Sequence, residues 1–225
     1  MQPSEAQREL FQLAQQQGGY FTAKQAAMLG YTASKRNYHV GAGNWIREYR
    51  GIYRIALFPA PDRPDLTLWW LWSRGRDDSP VGVFSHQTAL SLHELTDANP
   101  ARIHLTVPPT FRKGAAIPSI LRLHFAEVGE DEREMVAGVP VTNALRTIID
   151  IWREETLPKP ILRQAFADAV RRGKVRKSQV AQARKDSSMN AIVAALERGS
   201  SMTLALSMRS GEPSLGEERM RCRGS

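Results

Sequence analysis

The sequence predicts an α+β protein, and three patterns indicate this class. Apolar residues recur with helical spacing and capping signals over the first forty residues. Alternating apolar and polar residues then indicate strands at several later positions, and long helical patterns return after Pro158. The chain has 225 residues, of which 42% are hydrophobic, so it can build one large core or two small ones.

The first helix is predicted from Ser4, because Gln7 follows three residues later and the pair has the spacing of a capping box. No apolar targeting segment precedes it. The longest apolar run, Leu66 to Trp72, is too short to cross a bilayer. We therefore expect a cytoplasmic protein with no membrane partner.

The second and third helices are predicted between Thr22 and Gly43. Thr22 and Gln25 repeat the capping-box spacing, and Gly30 allows the left-handed conformation that ends a helix. Either Thr32 or Ser34 can cap the third helix.

Two short strands follow directly. The segments 45–49 and 52–55 alternate with period two, and the pair Arg50-Gly51 between them has the composition of a turn. Helices followed by a hairpin in this order predict a winged helix-turn-helix, a fold that places its recognition helix in the major groove of DNA.

The residue types of the third helix and the hairpin suit DNA binding. Arginine and lysine pair with guanine edges or phosphates, and asparagine can bind adenine through two hydrogen bonds. The alternative is that the same charges form an ordinary solvated helix face. The predicted DNA-binding residues are Ser34, Lys35, Arg36, Asn37, Tyr38, His39, Arg47, Arg50 and Arg54.

Domain boundaries are predicted from composition. Three prolines over residues 59–64 indicate a stiff linker after a first domain at 1–58. Residues 65–198 are predicted to form a mixed α/β domain with a small sheet and C-terminal helices, and 199–225 a disordered tail. In this second domain the predicted helices begin near Asp65, after Ser85, after Thr142 and at 160–171 and 178–198, and the predicted strands are 102–107, 121–125 and 138–141.

Four histidines in the second domain raise the question of a metal site: His86, His93, His104 and His124. His86 and His93 are seven residues apart and are expected on one helix face, while His104 and His124 lie on two predicted strands. The sequence has no known ligand-spacing or catalytic motif and only one cysteine. We therefore expect structural histidines, no metal, no cofactor and no enzymatic activity.

Charge is distributed unevenly along the chain. Residues 1–58 carry seven basic and three acidic side chains (+4), residues 59–156 ten and fourteen (−4), and residues 157–185 nine and one (+8). The last segment has little internal neutralisation, so it is predicted to bind an acidic partner, although a solvated corner or nonspecific DNA contact is an equal alternative. The residues of this predicted surface are Arg163, Arg171, Arg172, Lys174, Arg176 and Lys177.

The sequence resembles the AbiEi antitoxins of type IV toxin–antitoxin systems. The resemblance covers about residues 4 to 198, and its most specific block is the segment from Arg146 to Asp150. The matching segments are the capped helix at 21–22, the basic helix through Tyr38, the wing at 50–54, and residues 84–90, 104–108 and 139–150.

The resemblance implies a function. AbiEi-like antitoxins repress their own operon through the N-terminal domain and counter a nucleotidyltransferase-like toxin through the C-terminal region. The implied partners are therefore double-stranded DNA of the chain's own promoter and such a toxin. Two alternatives remain: a DNA-binding regulator without a toxin, and a metal-dependent nucleic-acid enzyme using Asp150, Glu154 and Glu155.

Overall fold

The N-terminal part of the chain folds as a winged helix-turn-helix, as predicted. The computed structural model describes residues 4–59, 62–75, 78–97 and 100–209, with side chains up to residue 198. The three strands of this N-terminal part form an antiparallel sheet in the order β1-β3-β2. The elements are α1 (Glu5–Gln16), β1 (Tyr20–Thr22), α2 (Ala23–Met28), α3 (Ala33–Gly41), β2 (Trp45–Tyr49) and β3 (Ile52–Ile55).

Local capping explains where these helices begin. The predicted capping boxes at Ser4 and Thr22 are both formed, each with its glutamine three residues later. Of the two candidates for α3, Thr32 is the cap, because its hydroxyl accepts a hydrogen bond from the Lys35 backbone N–H at 3.3 Å. Ser34 therefore does not cap α3, and it lies on an exposed turn of the helix.

Aromatic residues form the centre of this module. Phe21 is fully buried, with its ring edge-on to Trp45 at 4.8 Å and stacked on Tyr53 at 5.8 Å. Leu10 and Ala14 of α1 pack into the same cluster. This cluster fixes α1 against the sheet, and through Trp45 it also fixes α3.

The second part contains a mixed five-stranded sheet and five helices after α4. The strand order is β6-β5-β4-β8-β7, with β5–β6 and β4–β8 parallel and the other pairs antiparallel. The α+β class is therefore confirmed. The elements are α4 (Pro64–Trp72), β4 (Val83–Phe84), α5 (His86–Leu92), β5 (Ile103–Val107), β6 (Leu121–Phe125), β7 (Arg133–Val136), β8 (Val139–Thr142), α6 (Ala144–Glu154), α7 (Lys159–Arg171), α8 (Lys177–Ala183) and α9 (Ser187–Arg209).

The C-terminal helices depart from the prediction in two ways. The predicted helix at 178–198 is broken into α8 and α9, and α9 continues to Arg209. Residues 199–209 of the predicted tail belong to α9, and their apolar run from Met202 to Met208 contains no proline or glycine that would end a helix. Residues 210–225 lie outside the described residues.

The predicted linker does not separate two independent cores. Helix α4 begins at Pro64, inside the predicted linker, and its buried Leu66 and Trp69 share one cluster with Tyr20 and Ile52 of the winged helix. Tyr49 meets Trp69 edge-on at 5.4 Å. Cutting the chain before α4 would expose these aromatic faces, so tests of DNA binding require the full chain. No helix in the described ranges is long and apolar enough to span a membrane.

Candidate functional site

Helix α3 presents one polar face to solvent. Ser34, Lys35, Asn37 and Tyr38 are all exposed, and Tyr38 is 69% exposed. Ser34, Asn37 and Tyr38 are spaced three and four residues apart, so their side chains lie on the same side of the helix. The structure thus brings four of the predicted DNA-binding residues together on a surface that can enter a groove.

The other two predicted residues of α3 point toward the protein. The Arg36 guanidinium donates to the Tyr31 carbonyl at 2.7 Å, and its Nε atom is buried. The His39 ring stacks on Trp45 at 4.5 Å, and its burial lowers its pKa. Helical spacing turns both side chains away from the Asn37 face, so in this structure they pack against the protein. The guanine or phosphate contact predicted for Arg36 and the sugar or backbone contact predicted for His39 stay predictions.

The hairpin supplies two exposed arginines. Arg47 on β2 and Arg50 at the turn are exposed, and Gly51 takes the positive φ of +75° that this two-residue turn requires. Arg54 differs, because its Nε donates to Glu48 at 2.7 Å and its side chain is only 17% exposed. The ion pair ties β3 to β2, and the phosphate or minor-groove contact predicted for Arg54 stays a prediction.

The predicted acidic-partner surface is brought together only in part. Arg171, Arg172, Arg176 and Lys177 are exposed around the turn between α7 and α8, and Lys174 is half-buried beside them. Arg171 pairs with Asp168, and Arg172 donates to the Glu94 carbonyl at 3.0 Å. Arg163 is separate: it donates to the Ala195 carbonyl and lies over the Trp152 ring, so it holds α7 against α9 and α6.

The three carboxylates considered for a metal enzyme do not converge. Both oxygens of Asp150 accept from the Arg146 Nε at 2.9 Å, which confirms the predicted pair along the helix. Glu155 is exposed, takes the left-handed conformation that ends α6, and pairs with Lys159. Only Glu154 reaches the inner part of the sheet. The alternative prediction of a metal site made from these three carboxylates is therefore wrong.

Three of the four histidines form one buried cluster instead. His86, His104 and His124 come from α5, β5 and β6, each is less than a tenth exposed, and each offers a ligand atom within 4.8 Å of the others. The rings of His86 and His124 stack at 3.5 Å. His93 is not in this cluster: its Nε2 contacts the Thr142 carbonyl at 2.7 Å, so the expected shared helix face of His86 and His93 carries no common site.

Hydrogen bonds define the proton positions in this histidine cluster. Glu154 Oε1 lies 2.7 Å from His124 Nδ1 and 3.2 Å from His86 Nε2, and an ionised carboxylate only accepts, so both of these nitrogens carry protons. The bare His124 Nε2 then accepts from His104 Nδ1 at 3.0 Å. All three rings can satisfy these bonds in their neutral forms.

Burial lowers the pKa of two of the three rings. Burial first, and then the neighbouring His124 ring, lowers the pKa of His86 to about 3. The same two causes lower the pKa of His104 to about 4. His86 also has a φ of +50°, an unfavourable backbone conformation for a residue other than glycine.

Two members of the histidine cluster, His86 and His124, line a cleft of about 540 Å³. Two arginines, Arg122 and Arg153, line the cleft beside His124 and Glu154. Arg122 lies 3.6 Å from the Glu154 carboxylate. The sequence contained one usable signal for this site, the alternation that placed His104 and His124 on strands. The sequence did not indicate that β5 and β6 pair in parallel, an arrangement that places Thr106 opposite His124. It also did not indicate that Glu154, at the end of α6, lies beside these histidines.

Comparison with known proteins supports the N-terminal assignment. Residues 8–56 match the family model described as "Transcriptional regulator, AbiEi antitoxin", which confirms the AbiEi-like resemblance of this region. The chain is also similar to the solved structure titled "Crystal structure of RV2827C protein from Mycobacterium tuberculosis". That similarity has a TM-score of 0.54 at 15% identity and covers 96% of this chain and 84% of the other, so it supports the fold alone. No curated protein matches the sequence significantly.

Proposed function

We propose that the protein is a DNA-binding autorepressor and the antitoxin of a type IV toxin–antitoxin system. The observation that carries the DNA-binding part is the joint exposure of the α3 face and the hairpin arginines within the region that matches the AbiEi regulator family. The polar α3 face can read base edges, while Arg47 and Arg50 can bind phosphates beside it.

The structure divides the expected effects between specificity and general affinity. Asn37 and Tyr38 lie on the exposed face of α3, so Asn37→Ala should cost about 1–3 kcal/mol at the preferred site and relax base choice. Arg50→Ala should weaken specific and random DNA similarly, because an arginine at a turn contacts phosphates. If Lys35, Arg47 and Arg50 neutralise about three phosphates, log K should fall against log salt with a slope of about −3 for each protomer.

Footprinting of the full-length protein on the DNA upstream of its own gene tests this proposal. Protection of a defined site, lost in Asn37→Ala and retained in the surface control Arg8→Ala, is the expected result. Equal losses on specific and random DNA for Asn37→Ala would place base recognition elsewhere on the protein. No association at low salt would reject the DNA-binding function.

The antitoxin part rests on the basic corner between α7 and α8. Arg176 and Lys177 are exposed there, and Lys177 is the first residue of α8. Such a surface favours an acidic partner by long-range attraction. The partner proposed is a nucleotidyltransferase-like toxin encoded beside this gene.

Charge reversal tests this role without disturbing the fold. Arg176→Glu combined with Lys177→Glu places acidic residues at the N-terminus of α8, where the helix dipole favours them. The double variant should keep the footprint but fail to rescue cells that express the neighbouring toxin. Arg8→Glu combined with Arg102→Glu makes the same charge change at other exposed positions and should still rescue. Full rescue by the corner variant with a lost footprint would identify a DNA surface instead.

A further inference from the structure

We propose that the histidine cluster of His86, His104 and His124 is a binding site for a single divalent transition-metal ion of the Zn²⁺ type. Three imidazoles are a ligand set that Zn²⁺ commonly takes, and the remaining position is open to the cleft. This inference is independent of DNA binding, since none of the three histidines lies in an element of the winged helix.

The distances suit one ion. Zn–N bonds of about 2.0–2.1 Å in a tetrahedral shell place neighbouring nitrogens about 3.3 Å apart. His104 Nδ1 and His124 Nε2 are 3.0 Å apart, and the ligand atoms of all three rings lie within 4.8 Å. The His86 and His124 rings are nearly parallel, with 11° between their planes, so the His86 ring must rotate to bring its nitrogen into the same shell.

The surrounding groups orient the rings as outer-shell residues do in metal sites. Glu154 binds His124 Nδ1, so Nε2 faces the other rings, and the Ser85 hydroxyl binds His86 Nδ1 at 2.9 Å. Thr106 donates to Ser85 Oγ at 2.7 Å and fixes that hydroxyl in turn. These contacts leave His86 Nε2 and His124 Nε2 as the candidate ligand atoms, and metal binding would displace the proton through which His86 Nε2 contacts Glu154 at 3.2 Å.

Features of the backbone and the cleft point in the same direction. His86 is held at a φ of +50° directly after the buried Ser85, a conformation that persists only where the surroundings fix it and that is frequent at functional sites. Arg122 and Arg153 at the cleft would draw an anion or a water molecule to the open coordination position.

The direct test uses the full chain with no polyhistidine tag, in a Cys222→Ser background that removes the one thiol. After chelator treatment, Co²⁺ and Zn²⁺ are titrated, and Co²⁺ absorption in the visible range reports a four- or five-coordinate site. We expect one equivalent to bind with micromolar or tighter affinity, with Mg²⁺ not competing because imidazole prefers transition metals. If the protein with all three histidines intact shows no visible Co²⁺ absorption and no Zn²⁺ binding, the proposal is wrong, whatever the variants do.

Variants then assign the ligands. His86→Gln, His104→Gln and His124→Gln should each weaken binding at least ~100-fold, while Glu154→Gln should weaken it about 10–100-fold as an outer-shell residue. His39→Gln, which lies on α3 outside the histidine cluster, should bind normally. If all three cluster variants keep full affinity, the metal binds elsewhere and the proposal fails. If a variant does not fold, the proposal is tested on the protein with all three histidines intact, by its Zn²⁺ stoichiometry and by the rise in its Tm when Zn²⁺ is added.

Discussion

Replacing Arg146 by methionine should destabilise the protein through the carboxylate that it leaves behind. Arg146 lies in α6, where its Nε donates to both oxygens of Asp150 at 2.9 Å and its Nη1 binds Glu132 at 2.5 Å. The Arg146 and Asp150 side chains are each 11% exposed. Methionine retains most of the aliphatic packing but leaves Asp150 buried without its cation.

The size of the effect follows from that burial. Breaking a buried ion pair by removing one partner costs about 3–5 kcal/mol, and the cleft beside Asp150 admits enough water to favour the lower value of about 3 kcal/mol. A protein of this length loses about 2–4 °C of Tm for each kcal/mol, so the expected fall is about 6–12 °C. Thermal and urea unfolding measure both quantities.

The pH dependence has a definite sign. Burial raises the pKa of Asp150 even though Arg146 opposes the rise, so removing Arg146 should raise this pKa further. A carboxyl whose folded pKa exceeds its unfolded pKa favours folding below the unfolded pKa and opposes it as the pH rises through the folded value. The stability deficit of Arg146→Met should therefore be full near pH 7.5 and shrink toward about pH 4.

Two further variants make this test decisive. Arg153 is an exposed arginine of the same helix, so Arg153→Met should change the free energy of unfolding by less than about 0.5 kcal/mol. Arg146→Met combined with Asp150→Leu should recover much of the loss, because an apolar pair can replace a buried ion pair. A deficit below 1 kcal/mol, or one that is the same at both pH values, would refute this account of the pair.

Three other substitutions test local features. Asn143→Ala should cost about 1–2 kcal/mol, because its Oδ1 caps α6 at 2.9 Å and its Nδ2 donates to a backbone carbonyl; Asn143→Asp should lose less, since it keeps the cap, and urea unfolding compares them. Gly19→Ala should lower Tm, because a Cβ there would lie 2.6 Å from Phe58 at a φ of +89°, and an unchanged Tm would contradict that geometry. Arg54→Met removes the ion pair with Glu48 and should lower the free energy of unfolding by about 1–2 kcal/mol. Its affinity for random DNA in a gel-shift assay should stay within twofold of the unmutated protein. A large loss of affinity would show that Arg54 contacts phosphate.

The winged helix could be predicted because its signals are local. Both capping boxes, the glycine at the end of α2 and the two-residue turn at Gly51 depend on residues within four positions of one another. The exposure of individual side chains was harder to predict. Arg36 has the composition of a DNA contact, yet the angle between successive residues of α3 turns it toward the Tyr31 carbonyl.

The second part of the chain shows where local signals end. Strand β4 has two residues, and β7 has two charged residues followed by two apolar ones, so neither carries an alternating strand pattern of usable length. Thr142 has the composition of a helix cap, but its hydroxyl bonds to Thr147 inside the core and Asn143 caps α6 instead. Ser85 occupies the cap position of α5, yet its hydroxyl orients His86 rather than the helix backbone. Contacts distant in the sequence hold both hydroxyls, since Thr142 also donates to the Phe84 carbonyl and Ser85 accepts from Thr106.

Helix α6, which contains the segment from Arg146 to Asp150, connects several elements of the second part of the chain. Its Ile148 and Ile149 are buried among the C-terminal helices, while Arg146 on another face binds the turn before β7 through Glu132. The left-handed residue Glu155 ends the helix, which leaves Glu154 as its last residue, at bonding distance from His124. The position of Glu154 is thus fixed by the packing of the whole helix. A perturbation of the Arg146 anchor should therefore reach the histidine cluster through α6, and the Co²⁺ spectrum of Arg146→Met would detect that change.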